Sequence, residues 1–141
     1  MKLNNYLELR NKQKEIANIK ACNEFTNKYG LILNEKQIQN LLEQRKDVLK
    51  HTGRIEFQES ILKKIIKEFC DSSYITQTNY ENTLYELIEI FYTYKNETMD
   101  MVTDDELIKF MKKSFDGICK GDIEYLSGAI MYEMKNEVLK G

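Results

Sequence analysis

Catalysis by protein side chains needs nucleophiles, acid–base pairs or metal ligands at workable spacings, and this chain offers few of them. His51 is its one histidine. A zincin helix needs two histidines four apart, and a di-iron carboxylate bundle needs two Glu-x-x-His pairs, so neither can be assembled. His51 could still serve a Cys or Ser nucleophile. Its place in "LKHTG", however, suits an imidazole meeting the carboxyl end of a helix dipole. Cys22, Cys70 and Cys119 lie far apart among apolar neighbours with no CxxC pair, which reads as reduced, inert core thiols. Glu86 and Glu89 stand one turn apart, but on a polar helix strip that predicts solvation rather than a buried acid–base pair. "DMVTDDE" (100–106) has acids at calcium-like density yet lacks the alternating pattern and turn glycine of an EF-hand loop. There is no glycine-rich phosphate loop or nucleophile elbow. The sequence therefore predicts no catalytic residue, no metal site and no cofactor.

Two features remain. Arg45, in "NLLEQRKDVL", lies near the middle of a helical apolar stripe made by Leu41, Leu42, Val48 and Leu49. The chain has three arginines, so this one is not routine surface charge. A guanidinium cannot shed its proton, and burial demands a carboxylate or several carbonyls. An ion pair with Glu56 or Asp71 is expected, Glu56 first, because "GRIEF" comes directly after the helix and can fold back. The alternative is an anion-binding pocket formed by Arg45 and Glu56, the one route to a small-molecule ligand or an enzyme. The second feature is aromatic: Tyr125 and Tyr132, seven apart with Leu139 nearby, fall opposite the core stripe of the last helical segment. Large, stiff, half-polar tyrosines suit a protein interface.

The elements that must position these residues are all helical. Without proline and with six glycines, the chain is interrupted only at joints. Turning residues by about 100° each gives six segments. The first, about 11–29, carries Ile19, Cys22, Phe25 and Tyr29 on one side and ends at Gly30. The second opens at Asn34, with Gln37 in capping-box spacing, and stops at Gly53. The third, about 58–71, presents Ile61, Leu62, Ile65, Ile66 and Phe69. The fourth opens at Thr78 or Asn79 and runs to about Glu97. It is apolar except for the strip Asn82, Glu86, Glu89 and Thr93, so it should be central. The fifth is capped by Thr103 and buries Leu107, Ile108, Phe110, Met111 and Phe115. The sixth, about 122–139, buries Ile123, Leu126, Ile130, Met134 and Val138. "GLIL" at 30–33 is the one strand candidate and has no partner to form a sheet. The expected fold is a single all-α domain over residues 1–141, with 1–10 a loosely ordered N-terminal extension.

A net charge of −2 builds no field for phosphate backbones. Nucleic-acid binding would need Lys63, Lys67, Lys109, Lys112 and Lys113 to converge. No apolar run approaches the ~18 residues that span a bilayer, and Asn and charges interrupt the N-terminal stretch where a signal peptide would need an apolar core. A cytoplasmic protein is expected, and the Lys/Ile/Asn-rich composition fits a bacterial one.

The landmarks "CNEFTNKYGL", "GRIEF", "EFCDSSYI", "NYENTLYELIEIFYTYKNET", "TDDELIKFM" and "GDIEYLSG", in that order, resemble a family of small proteins of Gram-positive bacteria, a domain of unknown function. The resemblance implies no activity and transfers no site residue. The residues themselves point to a non-catalytic helical protein acting through contact with a protein partner or a second copy, such as a homodimer.

Overall fold

Asn34 shows how the helices are delimited. Its side chain accepts from the Gln37 amide at 2.8 Å, while the Gln37 side chain accepts from the Asn34 amide at 2.9 Å. This reciprocal cap opens a helix over Glu35–Thr52, and Gly53 closes it with a left-handed φ of 71°. Thr103 caps the start of Asp104–Asp116, accepting from the Glu106 amide.

The computed structural model describes residues 3–56 and 61–140. Within them the helices are α1 (Leu3–Ala21), α2 (Asn23–Thr26), α3 (Glu35–Thr52), α4 (Ile61–Phe69), α5 (Tyr80–Glu97), α6 (Asp104–Asp116), α7 (Ile123–Tyr125) and α8 (Met131–Lys140). A π-helical turn over Leu126–Ile130 joins α7 to α8 without leaving right-handed geometry. No strand occurs among the described residues, so the fold is all-α. The expected start of the third segment, 58–60, falls outside them.

α5 touches α3, α4 and α8, which makes it the central helix that its narrow polar strip demanded. Its buried face includes Tyr80, Leu84, Leu87, Ile88, Phe91, Tyr92 and Tyr94. α3 lies along it with Ile38, Leu41, Leu42 and Val48 inward, and α4 contributes Ile61, Leu62, Ile65, Ile66 and Phe69. α1 rests on α3 and α4, and α6 on α4 and the π turn.

One expectation needs correction. The continuous helix expected over 11–29 breaks at Cys22, because tighter i→i+3 bonds take over (Cys22 N–H to the Ile19 carbonyl, Phe25 N–H to the Cys22 carbonyl). Thr26 is thereby buried, while Phe25 and Tyr29 turn outward and pack edge to face with Lys28 over both rings. As expected, the segment Leu31–Leu33 forms no strand, although it buries alternate residues as a strand would. Its ladder partners are side-chain amides: Asn23 brackets the Leu33 backbone (2.8 and 2.9 Å) and Gln77 brackets that of Ile32 (both 2.8 Å). α1 begins at Leu3, and its residues 5–14 are exposed.

Candidate functional site

Arg45 is buried, 8% exposed, on the inward face of α3. One guanidinium nitrogen donates to Glu15 Oε2 at 2.9 Å, and another lies 3.7 Å from Glu56 Oε1. Glu56 is itself enclosed. Its Oε1 accepts from the backbone amide of Ile61 at 3.2 Å, at the start of α4, and its Oε2 accepts from the Tyr92 hydroxyl at 2.7 Å. The carboxylate thus meets a guanidinium, a helix N-terminus and a phenol at once. Burial first, and then the charge and hydrogen bond of Glu56, push the Tyr92 phenol far above its ordinary range. The phenol stays protonated as donor.

This cluster joins α1, α3, α4 and α5. Asp71, the other expected partner of Arg45, is elsewhere: it pairs with Lys112 on α6 at 2.7 Å, and Lys112 also holds Asp116 at 2.6 Å. Burial alone would push the Lys112 ammonium down, but its hydrogen bonds to Asp116 and Asp71 outweigh this and hold its pKa above the ordinary value. Lys112 is thereby engaged by acids rather than presented to a phosphate backbone. A nearby crevice of about 340 Å³ between α1 and α3 is lined by Glu8, Glu15 and Glu43 as well as Lys12 and Lys46; Arg45 does not line it. An anion approaching Arg45 would meet two carboxylates already in place.

Glu15 had no signal in a local reading, since a contact across 30 residues is a property of tertiary packing. A second tie was also missed. Arg54 makes a two-pronged pair with Asp100 and donates to Asn96 Oδ1 at 2.7 Å. The buried Lys95 donates to the Val102 carbonyl at 2.7 Å and pairs with Asp104 at 2.8 Å, at the head of α6. The Arg54 hydrogen bond holds the Asp100 carboxyl below its usual range.

His51 is exposed at the end of α3, where it borders an open cleft of about 520 Å³ with Asp47, Tyr85 and Glu89. Tyr85 donates to Glu89 at 3.2 Å, while Glu86 accepts from Asn82, so the two acids are engaged separately. The Glu89 charge holds the Tyr85 phenol above its ordinary value. Cys22, Cys70 and Cys119 are buried, and burial raises each thiol, which removes the thiolate a nucleophile requires. Among the described residues no group of three His, Cys, Asp or Glu side chains is placed to hold a metal ion.

The C-terminal rod presents a different surface. Tyr125, Tyr132 and Leu139 are all exposed, Tyr132 most of all at 67%. The π turn between the two tyrosines adds a residue to the turn and rotates α8 relative to α7 by up to about 100°. The same shift buries Met131 beside Ile130 and leaves Ile123, Met134 and Val138 only partly covered. Met134 and Val138 border a groove of about 460 Å³ between α6 and α8. It is lined by Phe110, Ile118, Ile130, Met134 and Val138, with Glu133 and Glu137 along the α8 side. Ile118, exposed in "FDGICKG" directly after α6, was the overlooked sequence signal.

Fold and site together define a small all-helical domain, stapled by buried ion pairs and bearing an apolar groove, with no membrane-crossing helix among the described residues. It belongs to DUF6323, a family of unknown function, whose match covers residues 18–141. No curated protein and no solved structure matches the chain.

Proposed function

We propose that this is a non-catalytic, cytoplasmic bacterial protein that works by protein–protein contact through the groove between α6 and α8. The groove itself carries the reading. Phe110, Ile118, Ile130, Met134 and Val138 line a concave apolar surface, and aromatic and methionine side chains of this kind are what interface centres use. Tyr125, Tyr132 and Leu139, exposed on the same rod, would widen the contact. The rival reading, an anion or metabolite site at Arg45, loses support because Glu15 and Glu56 already occupy the guanidinium. A photo-reactive p-benzoylphenylalanine at position 118 tests the proposal. It should cross-link to a protein, while the same group at exposed Lys36, on α3, should not; no cross-link from 118 in the producing cell removes the groove as a docking site. A thermal-shift screen with phosphorylated and carboxylated metabolites tests the rival, since a ligand of the native state raises the melting temperature.

A further inference from the structure

Two surfaces of this chain are complementary. Residues 5–14 of α1 are exposed, and Tyr6, Leu7 and Leu9 are large apolar side chains left in solvent there. Tyr6, Leu7, Arg10 and Lys14 recur at helical spacing on one side, away from Glu8, Asn11, Lys12 and Glu15, which line the crevice against α3. The outer side of α1 therefore presents a ridge of two apolar side chains, Tyr6 and Leu7, followed by two cations one turn apart. The α6–α8 groove is the converse: an apolar floor with Glu133 and Glu137, also one turn apart, along the α8 side. A helix laid along α8 would bring both pairs of opposite charges into register while its apolar side enters the groove.

We infer that the outer half of α1 docks in the α6–α8 groove of a second copy, joining chains head to tail. This rests on the groove being a docking surface and names its occupant. Ridge and groove are different surfaces, so the contact is heterologous, and each joined chain still offers one free end. Repeated, such a contact builds rings or open chains rather than a two-fold dimer. Rim charges steer the encounter, and the apolar centre sets the affinity.

Sedimentation velocity of the full chain, from micromolar to near-millimolar concentration, tests this. The average mass should rise with concentration. Leu7→Glu on the ridge and Ile118→Glu in the groove should each weaken self-association about tenfold or more. Both positions are exposed, and circular dichroism would verify that the variants stay helical. An equimolar mixture of the two variants should form a complex that stops at two chains, because it keeps one intact ridge and one intact groove. A chain that stays monomeric throughout overturns the inference, as does a mixture of variants that fails to pair. Association lost in Ile118→Glu but retained in Leu7→Glu overturns α1 as the occupant and leaves the groove reading standing. Association retained in Ile118→Glu removes both.

Discussion

Glu56 accepts from Tyr92 and from the first amide of α4 while facing Arg45, so the three groups stand or fall together. Arg45→Ala should cost on the order of 3 kcal/mol in urea unfolding, because it leaves Glu56 as a buried charge without its counterion. Glu15→Ala should cost less than about 1 kcal/mol, since that carboxylate is 43% exposed and water can replace it. Arg45→Met combined with Glu56→Gln should recover much of the Arg45→Ala loss: the neutral amide oxygen can still accept from Tyr92, and the alkyl stem still fills the site. An Arg45→Ala variant as stable as the parent chain would show that the pair contributes nothing. At this scale, what was legible in the sequence depended on chain distance. The burial of Arg45 is set by its neighbours on the wheel, and its pairing with Glu56 by a short turn back along the chain. Glu15 and the Lys112–Asp71 pair depend on how whole helices pack, which no local pattern encodes.

Helix identity was legible because apolar periodicity and caps are written locally, as Asn34, Gln37 and Thr103 illustrate. Irregular turns were not, because tertiary contacts impose them. The π turn is the instructive case. The buried Tyr94 hydroxyl, on α5, donates to the Leu126 carbonyl at 2.7 Å. A side-chain donor entering a helix's carbonyl ladder is a recognised cause of such distortions. Tyr94→Phe should cost about 1–3 kcal/mol by orphaning that carbonyl. It should also speed amide exchange across 126–131, where an unchanged exchange pattern would detach the turn from Tyr94. Gly121 is a second imposed feature, with φ of 80° and no room for a methyl: a Cβ there would lie 2.6 Å from the Tyr74 ring, which packs edge-on against Phe115. Gly121→Ala should therefore cost about 2 kcal/mol or more, combining left-handed strain with displacement of the ring. Gly30→Ala, left-handed but with open space around it, should cost less. Equal losses at the two positions would mean that the Tyr74 contact does not matter.

For the whole molecule, the buried acids that matter are phenols and thiols, and they set its response to pH. Tyr80, Tyr92 and Tyr94 are held above their ordinary value of 10.0, chiefly by burial, and Cys22, Cys70 and Cys119 above 9.0 for the same reason. Each group binds its proton more tightly when folded, so its contribution is fully present below the unfolded pKa. As pH rises past that value the unfolded chain releases protons that the folded chain keeps, and stability falls. The loss approaches about 1.4 kcal/mol per pH unit for each group. The three tyrosines alone would remove roughly 3 kcal/mol between pH 10 and 11, a large share of the ~5–15 kcal/mol that stabilises an ordinary domain. Lys112, also raised, acts in the same direction, whereas Asp100, lowered, contributes above its ordinary 3.8 and weakens the fold only in acid. Urea unfolding from pH 7 to 11 should therefore show a plateau, a decline beginning near pH 9, and a steeper one above pH 10. Replacing all three cysteines by alanine should move the onset of the decline toward 10 while leaving the steep part intact. Phenolate absorbance supplies an independent check: these three of the nine tyrosines should ionise only as the helices melt. If all nine titrate near pH 10 with helicity intact, the α5 tyrosines are reached by solvent and the packing around the central helix is looser than the structure describes.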